Sequence, residues 1–478
     1  MLTNIVSLFL CIIIFSVSLI FRPIYAILVI TFFLPMANRL VAFGDVRISF
    51  VALLIFSLFL GYTIKKRFTF SDPRRVRYKT LLLLVVTAIF ISFGILVIRG
   101  LPYNIELLEA NITQNVTNYL SAFIAGLIYY LIIVTETYCF EHIHLYVRIF
   151  VLTLFFLSVI YFLTNIIGIT LPVFISPINI ENIGGMQIAT TISKEISVFD
   201  EVQFAGYIGY IENFAEYLFV LFVFGFVLIT SSNRKKFYIS MGVTCCILVL
   251  MFAVPTAIKA FPIMVALFIL SQIILIKNNS VRIGLFLFLI IMGLVSFYMW
   301  DYLIETFFLK RLSIILVRYA LLESPFDVLN LNDIVFLIGR EDLITILSNI
   351  IGTGGIFGMG PVVVGFISGS SIPFHNFYYA LYLNFGLFGF FIFITLFVRI
   401  IIDLIKTYIK ANSSLKMTVL SFLLLFVLLL IEQIKVSMFR IPSGILMFWF
   451  VFAMIVCLVN IVIMEKNADK KIKGDLGV

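Results

Sequence analysis

The sequence predicts an all-α polytopic membrane protein, with about 12–13 transmembrane helices and a large outer loop carrying short amphipathic helices. Three observations lead there. The 478 residues are 63% hydrophobic and 12% charged, with mean hydropathy +1.20, whereas soluble chains hold about half apolar and a quarter charged residues. Apolar runs such as 5–21, 81–98 and 283–299 approach the roughly 20 residues, with about 17 as a lower limit, that cross a hydrocarbon core. The basic residues, finally, gather in short loops between those runs. A formal charge of +9 would suggest nucleic acid in a soluble protein; here it sets orientation instead, and no nucleic-acid partner is expected.

Taken in order, the first run leads through Arg22-Pro23 straight into a second apolar stretch, with no small-residue cleavage site, so it is read as a retained helix. Between 48 and 83, two apolar runs flank Lys65, Lys66, Arg67, Arg74, Arg75, Arg77 and Lys79, with Asp72 the one acid among them. The positive-inside rule makes that loop cytoplasmic. Counting outward, 141–148, 233–236, 277–282, 406–416 and the tail from Glu465 also fall inside. The stretches 99–116, 171–213 and 300–371 then fall outside, the amino terminus lies outside, and the carboxyl terminus lies inside.

The chain therefore reads as one integral membrane domain, 1–478, with long outer loops at 169–213 and 300–373. Lipid cannot satisfy irregular backbone, so these loops offer the room for an aqueous site. The expected location is a bacterial cytoplasmic (inner) membrane, multi-pass, with the site facing the periplasm or exterior. The first loop holds Gly184, Gly185, Gly206 and Gly209 with Gln203, Tyr207, Tyr210 and Asn213, a mixture suited to a sugar or to a packed connection. No matched pair of Gly/Pro-broken spans marks an inverted-repeat carrier. Cys11, Cys139, Cys245, Cys246 and Cys457 show no metal-ligand or disulfide spacing. His142 and His144 read as a solvated helix end rather than a metal pair. No metal and no cofactor are expected.

Three constellations carry chemistry. Lys259 lies in a tight turn, Pro255-Thr-Ala-Ile-Lys-Ala-Phe-Pro262, where its ammonium either snorkels to the outer interface or binds an anionic headgroup such as a diphosphate. Arg311 and Arg318 are seven residues apart in an amphipathic stretch, 307–322, beside Lys310. On a helix both guanidiniums share one face, fit either for phosphate oxygens or for resting on headgroups. Gly352-Thr-Gly354-Gly355, with Gly358 and Gly360, precedes Pro373-Phe-His375-Asn376 at the mouth of an apolar run. Glycines allow close approach of a ligand. His375, the one histidine on the expected outer side, is either a general base for a sugar hydroxyl or a helix-start residue bonded to its own backbone.

In this order the stretches resemble the O-antigen ligase and Wzy-type polysaccharide polymerase superfamily, membrane glycosyltransferases of the GT-C class. That family shows a Thr-x-Ser-Arg turn, a large outer loop with arginines, a Gly-x-Gly turn, a His-Asn pair at a helix start and a Gly-x-x-Gly. Here these correspond to Thr256-Ala-Ile-Lys259, Arg311 and Arg318, Gly352-Thr-Gly354, His375-Asn376 and Gly386-Leu-Phe-Gly389. The resemblance covers about 252–390. It departs from the family where Ile258-Lys259 replaces Ser-Arg, and Arg340 is a third candidate for the loop arginine. A lysine keeps the charge but loses the planar fork.

The resemblance implies transfer of a glycan from a polyprenyl diphosphate, undecaprenyl diphosphate above all, to an acceptor hydroxyl on the outer leaflet, without metal or nucleotide. Lys259, Arg318, Arg311 and Arg340 would hold the donor diphosphate, His375 would act as base, and Asn376, Gly352 and Gly354 would position acceptor and loop. Inversion at the anomeric carbon follows. The expected activity is that of a polymerase of O-antigen or capsular repeat units, working among membrane lipids with a chain-length regulator and a flippase. A ligase acting on a lipid A core and a lipid-linked oligosaccharide flippase or other transporter are the alternatives.

Overall fold

The computed structural model describes residues 2–37, 40–43, 46–66, 75–99, 106–165, 219–220, 223–228, 355–358, 377–433, 439 and 442–475, with a few isolated helical positions between 270 and 290. Among them are nine bounded α-helices: α1 (Leu2–Ile20), α2 (Pro23–Phe33), α3 (Phe50–Lys65), α4 (Lys79–Arg99), α5 (Glu106–Glu136), α6 (Phe140–Asn165), α7 (Phe377–Lys410), α8 (Ser413–Glu432) and α9 (Pro442–Asp475). Three described helices are long and apolar enough to cross a membrane, over Tyr119–Glu136, Asn384–Lys410 and Pro442–Lys466. The chain is a helical membrane protein.

Local sequence explains the joints. Arg22 is extended (φ −72°, ψ 135°) and Pro23 opens α2, because the residue before a proline is driven out of the α region while proline itself suits the first helical position. Lys65 at the end of α3 donates from Nζ to the carbonyl of Phe21, just past α1. A cation thus meets carbonyls at the negative end of a helix. The two-residue connection Ala411-Asn412 joins α7 to α8, and the Asn412 carbonyl accepts from Leu415 (3.0 Å) and Lys416 (3.0 Å).

Two features depart from the expected architecture. Leu40–Phe43 (β1) and Val46–Ser49 (β2) form an antiparallel hairpin, Leu40 opposite Ser49 and Phe43 opposite Val46. The fold is therefore not purely helical: an alternating stretch around a Gly-Asp pair, too short for a helix, closes its backbone hydrogen bonds as a hairpin instead. The stretch expected as an outer loop, 99–116, is helical from Glu106 onward. Its polar residues mark a helix leaving the apolar span. The long loops 169–213 and 300–373 lie outside the described residues except for 355–358.

The core is organised around α9. Every residue of 442–459 is buried, as expected for a helix that is apolar all round and packs on all sides. Trp449 rests on Gly126 of α5, where an added Cβ would strike the indole. Tyr130 stacks on Phe452 with ring centroids 4.7 Å apart, and Tyr129 stacks on Phe450. The second close approach joins α1 to α3, where Gly61 faces Ser18 and the Phe15 carbonyl.

One end of the bundle carries the basic groups and a polar latch. Arg77 Nη2 lies 2.8 Å from Asp403 Oδ2 of α7, and the Tyr78 hydroxyl donates to the same oxygen at 2.7 Å. Arg75 Nη1 donates to the Thr137 carbonyl (3.3 Å), its guanidinium lies 4.2 Å from the Tyr138 ring centre, and its own carbonyl accepts from Asn460 of α9 (2.8 Å). Lys66 pairs with Glu136 at 3.5 Å, and Tyr62 donates to that carboxylate at 3.0 Å. Tyr78 adopts a left-handed backbone (φ 59°), a strained state for a bulky residue. Its bond to Asp403 and its stacking on Phe452 hold it there. Burial, then Asp403, push its phenol above the ordinary tyrosine range.

At 29% and 19% exposure of their side chains, Arg77 and Asp403 form a partly buried pair. Asp403→Asn is expected to cost about 1–3 kcal/mol, below the roughly 3–5 of a fully buried pair, because it strands the guanidinium. Arg77→Met combined with Asp403→Leu should recover part of that loss. Thermal melts in detergent check both, and a single variant that melts like wild type would show the latch to be idle.

Candidate functional site

Lys259, Arg311, Arg318, Arg340, Gly352, Gly354, His375 and Asn376 all lie outside the described residues. What is described is the ground on which two of their stretches meet: the end of the glycine-rich segment, Gly355–Gly358, and the helix that His375-Asn376 precedes in sequence, α7. The start of α7 is tied to the end of α8, since Phe377 N–H donates to the Gln433 carbonyl (2.9 Å) and Tyr378 Oη donates to that of Leu430 (2.7 Å). Phe439 packs beneath, 4.8 Å from Phe377 and 5.2 Å from Phe123 of α5 between ring centres.

Nine residues into α7 the helix breaks. Gly386 sits at φ 68°, ψ −172°, a conformation open in practice to glycine. At such a break the next N–H groups lose their helical carbonyls, and the turn 355–358 replaces them: Leu387 N–H donates to the Gly355 carbonyl (3.2 Å) and Phe388 N–H to that of Ile356 (2.9 Å). The contact is backbone against backbone. A Cβ on Gly386 would strike the Ile356 carbonyl and the Gly358 nitrogen, and one on Gly358 would strike the Asn384 carbonyl. Gly355 and Gly358 themselves take positive φ (53° and 80°). Phe357 meets Phe388 edge-on at 6.1 Å.

The other side of the break is polar and buried. Ser92 of α4 donates its hydroxyl to the Asn384 carbonyl, a group whose helical donor, the N–H of residue 388, is engaged by the turn. Asn384 is 7% exposed, and among the described residues its side-chain Oδ1 has no hydrogen-bond partner. Gly389 packs beside Ala88 of α4. The break, the turn and α4 thus enclose a knot of main-chain polar groups at the depth of apolar helices, which lipid permits only where protein or a cavity surrounds it.

No protein-family model matches this chain, and no curated protein is similar to it. The candidate site therefore stands on its own geometry. Sequence reasoning named Gly386 and Gly389 but passed over Asn384 and Ser92; an asparagine two residues before a glycine inside an apolar run was the signal available, since polar groups in membrane helices are costly.

Histidines at the other end of the bundle behave differently from expectation. His144 packs against Phe140 with ring centres 4.7 Å apart and His142 against Tyr138 at 6.4 Å. Both imidazoles are held below the usual histidine range, first of all by burial. Both are half-buried at the start of α6, each with a ring neighbour. Among the described residues no group of three or more His, Cys, Asp or Glu is placed to hold a metal ion.

Gly386→Ala should unseat the turn, adding about 1–3 kcal/mol of strain, at a φ/ψ open in practice to glycine, to the clash with Ile356. With cysteines at 357 and 388 and the native cysteines replaced, a short bis-maleimide should bridge the pair in the parent chain and fail in the Gly386→Ala background. Equal cross-linking in both would show that the turn does not depend on the break.

Proposed function

We propose that this chain is a polyprenyl-diphosphate-dependent glycosyltransferase of the bacterial cytoplasmic membrane that polymerises O-antigen or capsular repeat units. The observation that carries the reading is a contact between two stretches near the motif series: Gly355–Gly358, the described part of the glycine-rich segment, is seated in the helix that follows His375-Asn376 in sequence and contains Gly386-Leu-Phe-Gly389. A transferase needs its loop groups held against the acceptor base with a tolerance well under a turn of helix. A backbone seat of this kind supplies that fixity. In support of the orientation, Lys65, Lys66, Arg75 and Arg77 share one end of the bundle with the carboxyl-terminal part of α7, which fits that end facing the cytoplasm. The seated turn then belongs to the half nearer the exterior.

In this reading the donor is a glycan on undecaprenyl diphosphate. Lys259 and Arg318, with Arg311 and Arg340 as further cations of the same outer region, neutralise the charge that develops on the diphosphate as the anomeric C–O bond breaks. His375 takes the proton of the acceptor hydroxyl, which attacks from the opposite face and inverts the anomeric centre. Asn376, Gly352 and Gly354 position acceptor and loop. The leaving group is activated before it arrives, so the chemistry calls for no metal. A chain-length regulator and a flippase are the partners such a polymerase works with.

Deleting the gene in its native host is expected to collapse the surface polysaccharide ladder to a single repeat unit on its anchor. Long polymer stranded on the polyprenyl lipid and missing from lipid A core would identify a ligase instead. An unchanged profile in both extracts would refute glycan transfer and favour a flippase or other transporter. In complementation, Lys259→Ala and Arg318→Ala should each cut polymer formation by at least a hundredfold, in line with the loss of one charge-stabilising group, while the protein inserts at normal levels.

A further inference from the structure

Buried polar groups in folded proteins have hydrogen-bond partners in the great majority of cases, and each exception needs a cause. Asn384 is such an exception. It is more than nine-tenths buried, and among the described residues its Oδ1 has no partner. The break at Gly386 diverts the N–H of Leu387, the ordinary i+4 donor for the Leu383 carbonyl, to Gly355. The N–H of Phe388 is likewise diverted from the Asn384 carbonyl to Ile356. Ser92 replaces one of these donors. What remains is the carbonyl end of a half-helix, 377–385, with an amide oxygen beside it, and such an end carries partial negative charge.

A carboxamide accepts at Oδ1 and donates at Nδ2, so it recognises a group that can do both. A sugar hydroxyl does so, and it carries no charge to desolvate. Gly355, Ile356 and Phe357 are exposed next to the break. Along α7 Asn384 stands seven residues, roughly 10 Å, below the helix start that His375-Asn376 precedes, a separation of about one to two sugar rings' reach.

We propose that Asn384, beside the break, forms an acceptor-sugar subsite that receives a hydroxyl of the incoming lipid-linked repeat unit. This rests on the transferase reading above. It assigns to Asn384 a positioning role, with proton transfer left to His375.

The decisive variant is Asn384→Leu, nearly the same size with no amide. Removing a buried amide whose Oδ1 has no partner among the described residues relieves a desolvation cost, so this variant should melt at or above the wild-type temperature in detergent. Lipid-linked repeat units extracted from the deletion strain serve as the probe in reconstituted vesicles. The KM for that acceptor should rise at least tenfold while kcat changes by less than threefold, and Asn384→Ala should behave alike if leucine fails to accumulate. Wild-type kinetics in both variants would overturn the subsite, as would a fall in melting temperature that tracks the loss of activity, which is the mark of a structural amide. A sodium-dependent melting shift of the wild type that both variants lose, with acceptor kinetics untouched, would also overturn it in favour of a cation site. A deletion strain with full-length polymer would instead bring down the transferase reading itself, and that result is read before any Asn384 variant is made.

Discussion

The burial of α9 on every face is the constraint from which the rest of the bundle follows. A helix exposed to lipid on one side can lose a contact there without harm, because lipid tails are as apolar as the side chains they touch. One enclosed on all sides must be matched by each neighbour, and packing shape does the work that the hydrophobic effect does in water. Trp449 sets the closest of these matches. Its indole occupies the space that any side chain at 126 would need, which fixes the depth at which α5 crosses α9. Tyr129 and Tyr130 then fall against Phe450 and Phe452.

The polar latch is the complement of that apolar centre. Arg75 reaches α5 and α9, while Arg77 and Tyr78 reach α7. Four residues entering α4 therefore lock three other helices at one level, and the left-handed backbone at Tyr78 is sustained by the bonds it makes possible. Toward the other end the elements are held by aromatic edges and by backbone, at Phe439 and at the seat of Gly355–Gly358. Electrostatic rigidity thus sits at the basic end. Main-chain fit governs the half where the reading above puts the chemistry.

Much of the helical framework was legible, because the apolar runs around α3, α4 and α9 announce themselves by length and composition. What escaped did so for identifiable reasons. The first turns of α5 are rich in Glu, Asn, Gln and Thr, and polarity was taken for a loop although Leu108, Ile112, Val116 and Tyr119 recur at helical spacing. The hairpin hid in a stretch too brief to weigh against its neighbours, with Gly44-Asp45 as its signal. Arg77 and Asp403 are separated by 326 positions, and no local pattern connects them. Gly386 could be named as part of a motif, yet its break depends on a turn from another part of the chain. Asn384 gained meaning once that break was placed. The cationic and histidine positions on which the chemistry rests were reached by resemblance, and they lie beyond the described residues.

The hairpin bears on how the chain enters its membrane. Helix α2 has 11 residues, or about 17 Å of rise against a hydrocarbon thickness of about 30 Å, so it cannot be accepted as a span alone. The short 3-10 turn Leu34–Met36 and the two strands prolong it, and a two-stranded ribbon has open edges that lipid will not tolerate. Strand β2 packs against α5, which is made later. The hairpin therefore gains this packing partner only when α5 has been made. Order of synthesis, and not hydrophobicity alone, governs when this end of the protein becomes stable.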